Sequence, residues 1–449
     1  MATIKIKKGH NIQITGRPEN EITAGPPLTV FGLNPHEFRS IKPKLLVKIG
    51  DRVKIGSPLF FDKLQPSIKW PSPAGGTIKQ IQFGPRRIIE KIVITRADEE
   101  STLKFESFKP LEISSLGREK ILEIIINGNL WPLIRQRPFN KLANPLDKPR
   151  DIFISGWNTA PLAVNLDLAL RGKLVQFQAG IDALRQLTEG KVHLSIEENT
   201  VSEILNVKGV EINRFKGPHP AGNVGIQIHH INPLRPREII WVIEAQQITT
   251  LGQFLLSGEF DPALIAAVGG PGVINPTHIK ARIGACLGDL LNNNIKSGSQ
   301  RIISGDVLTG LTSSLTGHLG FYDSTVSVLP EGGMREFLGM VWPGSSQNRY
   351  SLTNAFLKFK NIIYSFNTLA NGTERAIVPI NAWENVLPMD IMPNALYRAI
   401  LAKDIEEMEQ LGIYECDPED FALCTFACPS KIDVGGAVQT GLNLMEKEG

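Results

Sequence analysis

The chain has 449 residues, 42% hydrophobic and 21% charged, with a formal net charge of +3. That length holds about two to four domains with ordinary buried cores. The near-balance of charge gives no electrostatic footprint for a nucleic acid partner. No apolar run approaches the ~18–20 residues of a membrane helix. The basic opening MATIKIKKGH lacks the apolar centre of a signal peptide, which together points to the cytoplasm. Basic side chains concentrate in the first hundred residues and acidic ones in residues 403–449. The two ends could attract each other, face different partners, or present solvated faces.

Residues 1–110 read as a β-rich block. Between Lys44 and Thr95, short apolar runs are separated by turns at Gly50-Asp51, Gly56-Ser57 and Pro73–Gly76. Val47, Ile49, Val53, Ile55 and Leu59 fall mostly at even spacing, which puts them on one face of a strand system. The pattern resembles the biotinyl/lipoyl-carrier fold. In that family a modified lysine sits at a hairpin tip. Here the tip falls at Leu64–Ser67 and Pro66 occupies it, with Lys63 and Lys69 to either side. We read a carrier-shaped scaffold without carrier chemistry; a carrier modified on Lys63 is the weaker alternative.

Residues 111–258 read as a Rossmann-like α/β domain. Glu112 to Ile134 has helical spacing of Ile121, Leu122, Ile124, Ile125, Leu130 and Leu133. DIFISGW is a strand, followed by a helical stretch through Leu170. An extended run near Leu174–Phe177 precedes a helix from Ile181 to Thr188. KVHLSIEE and IIWVIEA are strands, the latter running into a helix through Leu256. Residues 259–330 form a small mixed domain. Residues 331–380 return to short strands with a turn at Asn371-Gly372. Residues 381–449 are helical with acidic surfaces.

Few constellations carry chemistry. The turn Gly269-Gly270-Pro271-Gly272 has glycines, but Pro271 removes a backbone donor and no helix plainly begins there, so a phosphate cradle is not expected. The histidines show no zinc-protease spacing, and no G-x-S-x-G elbow occurs. His229 and His230 would point apart if they lay in a strand. His219 lies in the stiff loop Gly217-Pro218-His219-Pro220-Ala221-Gly222. The four cysteines are Cys286, Cys416, Cys424 and Cys428. Cys424–Pro429 has the C-x-x-x-C-P form that ends a ferredoxin cluster run. The two upstream positions hold Pro418 and Phe421, so buried thiols are expected rather than a cluster.

Over its whole length the chain resembles the A subunit of the Na+-translocating NADH:quinone oxidoreductases. The segments that carry this are Phe215–Gly222, Arg301–Gly310, Arg375–Ile380, Leu387–Asp390 and Ala422–Phe426. The resemblance extends in domain order to the C subunit of the Rnf complex and the flavin subunit of complex I. In those relatives a glycine-rich loop holds flavin mononucleotide and NADH. The corresponding stretch here, Gly128–Phe139, has bulky side chains in place of the glycines, which would keep a backbone from touching phosphate.

The resemblance implies a peripheral protein on the cytoplasmic face of the bacterial inner membrane, bound to the membrane-embedded B subunit. Its complex would couple NADH oxidation and ubiquinone reduction to Na+ export. FMN, FAD, riboflavin, iron–sulfur and NADH would sit in other subunits, and this chain would bind none of them, with ubiquinone its one candidate ligand. It also implies that residues 259–330 are a soluble-ligand-binding (SLBB-like) β-grasp domain. The candidate contacts with a neighbouring subunit or, second to it, quinone are Trp131, Arg135, Arg137, Phe139, His219 and Gly222, with the Trp131–Phe139 loop at a crevice mouth; the alternative is a loop that only plugs an abandoned cofactor site. A positioned His219 imidazole could hydrogen-bond or protonate a reduced quinone oxygen. The competing reading is an electron carrier of the Rnf C type, which would be coloured when purified.

Overall fold

The computed structural model describes residues 3–333, 350–353 and 362–449. Three sheet systems and a helical end share adjoining cores. The first system comprises a four-stranded sheet (Val30–Leu33, Ile89–Arg96, Gly76–Phe83, Arg52–Val53) and a three-stranded sheet (Pro43–Leu45, Pro58–Asp62, Lys69–Pro71). Apolar side chains at alternate positions turn inward between them. Phe60 and Trp70 stack there with centroids 4.6 Å apart. The hairpin from Pro58–Asp62 to Lys69–Pro71 turns through residues 63–68, so Pro66 does lie in its tip.

The second system is a seven-stranded sheet. Its order is Ile4–Lys5, Glu211–Lys216, Val192–Glu197, Ile152–Ser155, Ile240–Val242, Arg135–Arg137, Lys141–Leu142. The first five run parallel and the last two close the edge in antiparallel pairs. The inner strands are buried on both faces, and IFIS, VHLSIE and IWV are accordingly apolar. The stretch expected to be extended near Leu174 is instead the start of a helix, Leu174–Arg185. Phe177, Ile181 and Leu184 recur at helical spacing and all are buried, which outweighs the β-branched Val175. His229 and His230 likewise lie in a helix, Val224–Ile231, and not in a strand.

The third system is six-stranded, in the order Leu311–Ser313, Gln300–Ser304, Thr325–Pro330, Ala263–Gly269, Thr277–Arg282, Ile22–Thr23. The leading arm of the chain therefore adds an edge strand to each of the other two sheets before it enters its own. Those edges would otherwise expose unpaired backbone groups.

The last part is helical: Pro393–Ala402, Ile405–Gln410, Pro418–Ala427 and Val434–Glu448. Three of these begin at an aspartate, Asp404, Asp417 or Asp433, whose carboxylate accepts a first-turn N–H. Nearly half of residues 331–380, expected as short strands, falls on 334–349 and 354–361, outside the described residues. The described part bridges Tyr364 to Ile14, and Asn371 takes a left-handed φ of 48° suited to a turn. No helix among the described residues is long and apolar enough to cross a membrane.

Two helices on one face of the parallel sheet touch without intervening side chains. A Cβ on Gly252, in the helix Ala245–Ser257, would lie 1.8 Å from the Gln176 carbonyl oxygen of the neighbouring helix. Gly252→Ala should gain ~1 kcal/mol of helix propensity and lose about 1–3 kcal/mol to overpacking. We expect the loss to win, read as a lower urea midpoint. A higher midpoint would mean that the helices are not in contact at this glycine.

Candidate functional site

The chain lays down Ile152–Ser155, steps outward to Val192–Glu197 and Glu211–Lys216, then returns to Ile240–Val242 on the opposite side. Where strand order reverses in this way, the connections leave on opposite faces and a crevice opens beyond the carboxyl ends of the two central strands. A cavity of about 220 Å³ lies there, with Ser155 and Trp157 after one strand and Glu244, Ala245 and Gln246 after the other. The third sheet supplies another wall through Asp306, Phe321, Tyr322 and Asp323, and the C-terminal helices reach it through Glu419. Helices Val224–Ile231 and Ala245–Ser257 both begin at this wall with no side chain capping their first turn. Their N-terminal ends present free N–H groups and partial positive charge. Gln247, in that first turn and 7% exposed, keeps its Oε1 without a partner.

His219 is 2% exposed and lines the crevice. The Thr159 hydroxyl oxygen accepts from Gly222 N at 2.9 Å and stands 3.1 Å from His219 Nδ1. The contact admits either tautomer: Thr159 donates to Nδ1 with the imidazole proton on Nε2, or accepts from Nδ1–H with Nε2 bare. That Nε2 has no partner among the described residues. Burial pushes the imidazole down to about 4, against the weaker pull of Asp306. The ring is therefore neutral at physiological pH, with one nitrogen a donor and the other an acceptor.

Gly222 is required by space. A Cβ on it would lie 2.6 Å from Thr159 N and 2.8 Å from the Trp157 carbonyl oxygen. Its own carbonyl accepts from Ser155 Oγ at 2.9 Å and Gln227 Nε2 at 3.2 Å.

Arg135 sits on the strand next to the sheet's edge, with its guanidinium 4.6 Å over the Tyr322 ring and hydrogen-bonded to Glu244. The Tyr322 hydroxyl donates to the Pro132 carbonyl at 2.7 Å, so the third sheet is fastened to this segment at two points. Arg135, His219 and Gly222 thus come together.

Trp131, Arg137 and Phe139 do not. Trp131 is fully buried, edge-on to Trp241 at 5.3 Å, and its Nε1–H donates to Ala143 O at 2.6 Å. It fills the core and cannot form a crevice mouth, because both its ring and its one polar atom are already used. Arg137 is buried behind the crevice, pairing with Asp417 Oδ2 and Glu419 Oε1, each at 2.7 Å. Phe139 lies half-buried against Tyr414 at 5.9 Å.

Sequence reasoning missed Glu244, Thr159, Asp306, Tyr322 and Asp323. Glu244 could have been found, since it stands at a strand-to-helix junction. The others arrive from distant segments and carry no local signal. The glycine turn at 269–272 is crowded by backbone: a Cβ on Gly270 would be 2.3 Å from Val328 O. Cys416, Cys424 and Cys428 are buried, and burial pushes the Cys416 and Cys424 thiols up. Among the described residues no group of three or more His, Cys, Asp or Glu has metal-holding geometry.

Residues 4–97 match the family described as the NqrA N-terminal barrel-sandwich hybrid domain. Residues 116–260 match the NqrA second alpha/beta domain, and residues 265–314 the NQRA C-terminal domain. The A subunit of the Na(+)-translocating NADH-quinone reductase of Tolumonas auensis is 38% identical over 451 residues, covering 99% of this chain and 100% of its own length. Proteins of the same description from Saccharophagus degradans and Pasteurella multocida are each 37% identical, again over 99% of this chain and 100% of theirs.

Two expectations follow from the geometry. Arg137→Ala strands Asp417 without its cation in a region water does not reach, and should cost about 3–5 kcal/mol in denaturant unfolding; a change below about 1 kcal/mol would show that the pair is hydrated. For His219, the unfolded ring takes a proton near its ordinary 6.5 while the folded ring stays neutral down to about 4. Stability should therefore fall as pH drops through that window. His219→Gln should flatten the decline, with His318, which burial also holds at about 4, supplying part of the remaining slope. An unchanged slope would place His219 in contact with solvent.

Proposed function

The chain belongs to the A-subunit family of the Na(+)-translocating NADH-quinone reductases, and from that premise we propose that its crevice receives the ring of a quinone at the reducing end of the complex. As a member it is one component of an oxidoreductase that couples NADH oxidation and quinone reduction to Na+ transport. The observation that carries the quinone reading is the unpartnered Nε2 of His219, buried in the wall of a cavity that is otherwise part apolar; in its Nε2–H tautomer the ring would donate to a quinone carbonyl. A quinone offers two carbonyl acceptors and a flat apolar ring. His219, Arg135 and the two open helix ends supply donors, and Trp157, Phe321 and Tyr322 supply the walls. At about 220 Å³ the cavity is smaller than the ~300–1,000 Å³ that enclose drug-sized ligands. It suits a head group whose tail lies outside, and it is too small for a dinucleotide.

The same premise supports finer statements. The first system is a biotinyl/lipoyl-like domain, the parallel sheet is Rossmann-like, and residues 259–330 are an SLBB-like β-grasp domain. The chain holds no flavin, iron–sulfur cluster or NADH of its own. Gly128–Phe139, where flavin-bearing relatives keep their cofactor loop, is packed here as core and sheet strand, with Trp131 and Leu133 fully buried. It docks on the membrane-embedded B subunit at the cytoplasmic face, with the electron carriers in the other subunits.

The test uses the assembled complex. His219→Ala and Arg135→Ala should leave NADH oxidation with an artificial acceptor intact. Quinone-dependent turnover should fall about tenfold or more, as the loss of one or two donors predicts, with KM for quinone raised. Parent-like quinone reduction by both variants would remove the crevice from the quinone path.

A further inference from the structure

The strands Gly76–Phe83 and Ile89–Arg96 form a long hairpin whose last paired residues are Phe83 and Ile89. Its tip, residues 84–88, projects beyond the sheet. Phe83 is 45% and Ile88 54% exposed, where a β-sheet core would normally have claimed both side chains. Between them Arg86 and Arg87 are also exposed. Pro85 and Ile88 form one lip of a cleft whose other lip carries Leu311, itself 59% exposed. Two large apolar side chains and two guanidinium groups therefore lie together on the tip, with the exposed Leu311 across the cleft from them.

Two features say that the arginines are kept for their side chains. Both have φ in the left-handed region, 54° for Arg86 and 59° for Arg87. Consecutive positions of that kind favour Asn and Gly, and an ordinary side chain is strained there. An observed outlier of this sort motivates a functional reading. Neither arginine has an ion-pair partner among the described residues. The nearest acid on the hairpin, Glu90, is half-buried alongside the strands, where it accepts from Gln82 Nε2 at 2.9 Å. The guanidinium of Arg87 lies 5.8 Å over the Phe83 ring, so charge and apolar surface are already side by side.

We propose that this hairpin tip docks the chain on an anionic phospholipid surface, with Arg86 and Arg87 on lipid phosphates and Phe83 and Ile88 at the acyl boundary. Mixed aliphatic, aromatic and arginine side chains are what interfacial segments use. Each basic group near an anionic leaflet adds attraction that salt screens. A protein partner is the poorer fit, because stable protein interfaces need ~800 Å² on each side and a five-residue tip is far narrower. The surrounding charge agrees, since the first hundred residues are the basic part of the chain. This proposal is independent of what the crevice binds.

The test mixes the full chain with vesicles of phosphatidylcholine, alone or containing phosphatidylglycerol, and follows co-sedimentation. Binding should require phosphatidylglycerol and weaken as NaCl is raised. The double variant Arg86→Asn with Arg87→Gly gives each position a residue that suits its φ. It should fold with an equal or higher Tm and lose vesicle binding about tenfold or more. Phe83→Ser with Ile88→Ser should weaken binding severalfold at unchanged Tm. Equal sedimentation with phosphatidylcholine alone, or parent-like binding by the Arg86→Asn, Arg87→Gly variant, would overturn the proposal. So would a photo-crosslinker placed at Ile88 that captures another protein of the assembled complex and no lipid.

Discussion

Arg137 carries a full charge into a region where water does not reach, its side chain only 5% exposed. Such a charge is tolerable only when partners surround it. Burial lowers its proton affinity, and Asp417, Glu419 and Asp420 together more than restore it. The arrangement of these partners sets much of the architecture. Asp417 meets Arg137 through one oxygen and caps the helix Pro418–Ala427 through the other, accepting from Glu419 N at 3.2 Å. Arg39, from the barrel-sandwich part of the chain, approaches the same carboxylate at 3.8 Å. Three distant stretches therefore converge on one ion cluster. Asp420, fully buried, has its carboxyl group pressed against Gly225, where a Cβ would stand 2.0 Å from Oδ2. Burial and the neighbouring Glu419 raise its proton affinity strongly, against the opposing pull of Arg137. The first turn of Val224–Ile231 is held in place by that contact and by Asn223 Nδ2, which donates to Glu419 O at 3.1 Å.

The crevice inherits its shape from this cluster and from the reversal of strand order. One wall is the strand ends and helix starts of the parallel sheet, another is the loop carrying Phe321–Asp323, and Glu419 comes from the helical end. The stacking of Arg135 on Tyr322 and the bond from Tyr322 to Pro132 lock the second wall to the first. The site is thus assembled by long-range packing. Its polar groups are costly to bury without partners, and the open Nε2 of His219, a donor in one tautomer, is the clearest such cost. A ligand with an acceptor at that point would relieve it.

Much of this was readable in the chain, and the limits have physical causes. The strands DIFIS, VHLSIE and IWV announce themselves because both faces are buried, so the apolar run is continuous. The turn at Pro66 is local chemistry and could be read from its own residues. His219, Arg135 and Gly222 stood out because of stiff or charged local context, and all three line the crevice. Trp131 and Arg137 stood out for the same reasons and are buried, because a bulky aromatic or an arginine says nothing locally about which way it faces. Leu174–Phe177 was misassigned because its β-branched valine outweighed a helical repeat that becomes clear only over twelve residues. The N-terminal arm, with Ile4–Lys5 in one sheet and Ile22–Thr23 in another, left no trace: two-residue edge strands are specified by their partners.

The protonation state and accessibility of His219 decide the account. In the full chain labelled with ¹⁵N-histidine, the His219 resonances should report a neutral ring protonated on Nε2 at about pH 6.5, the ordinary histidine midpoint. Addition of a short-chain ubiquinone should shift the Nε2 signal and leave buried His193 and His278 unmoved. An imidazolium at that pH, or an Nε2 signal indifferent to saturating quinone, would contradict it.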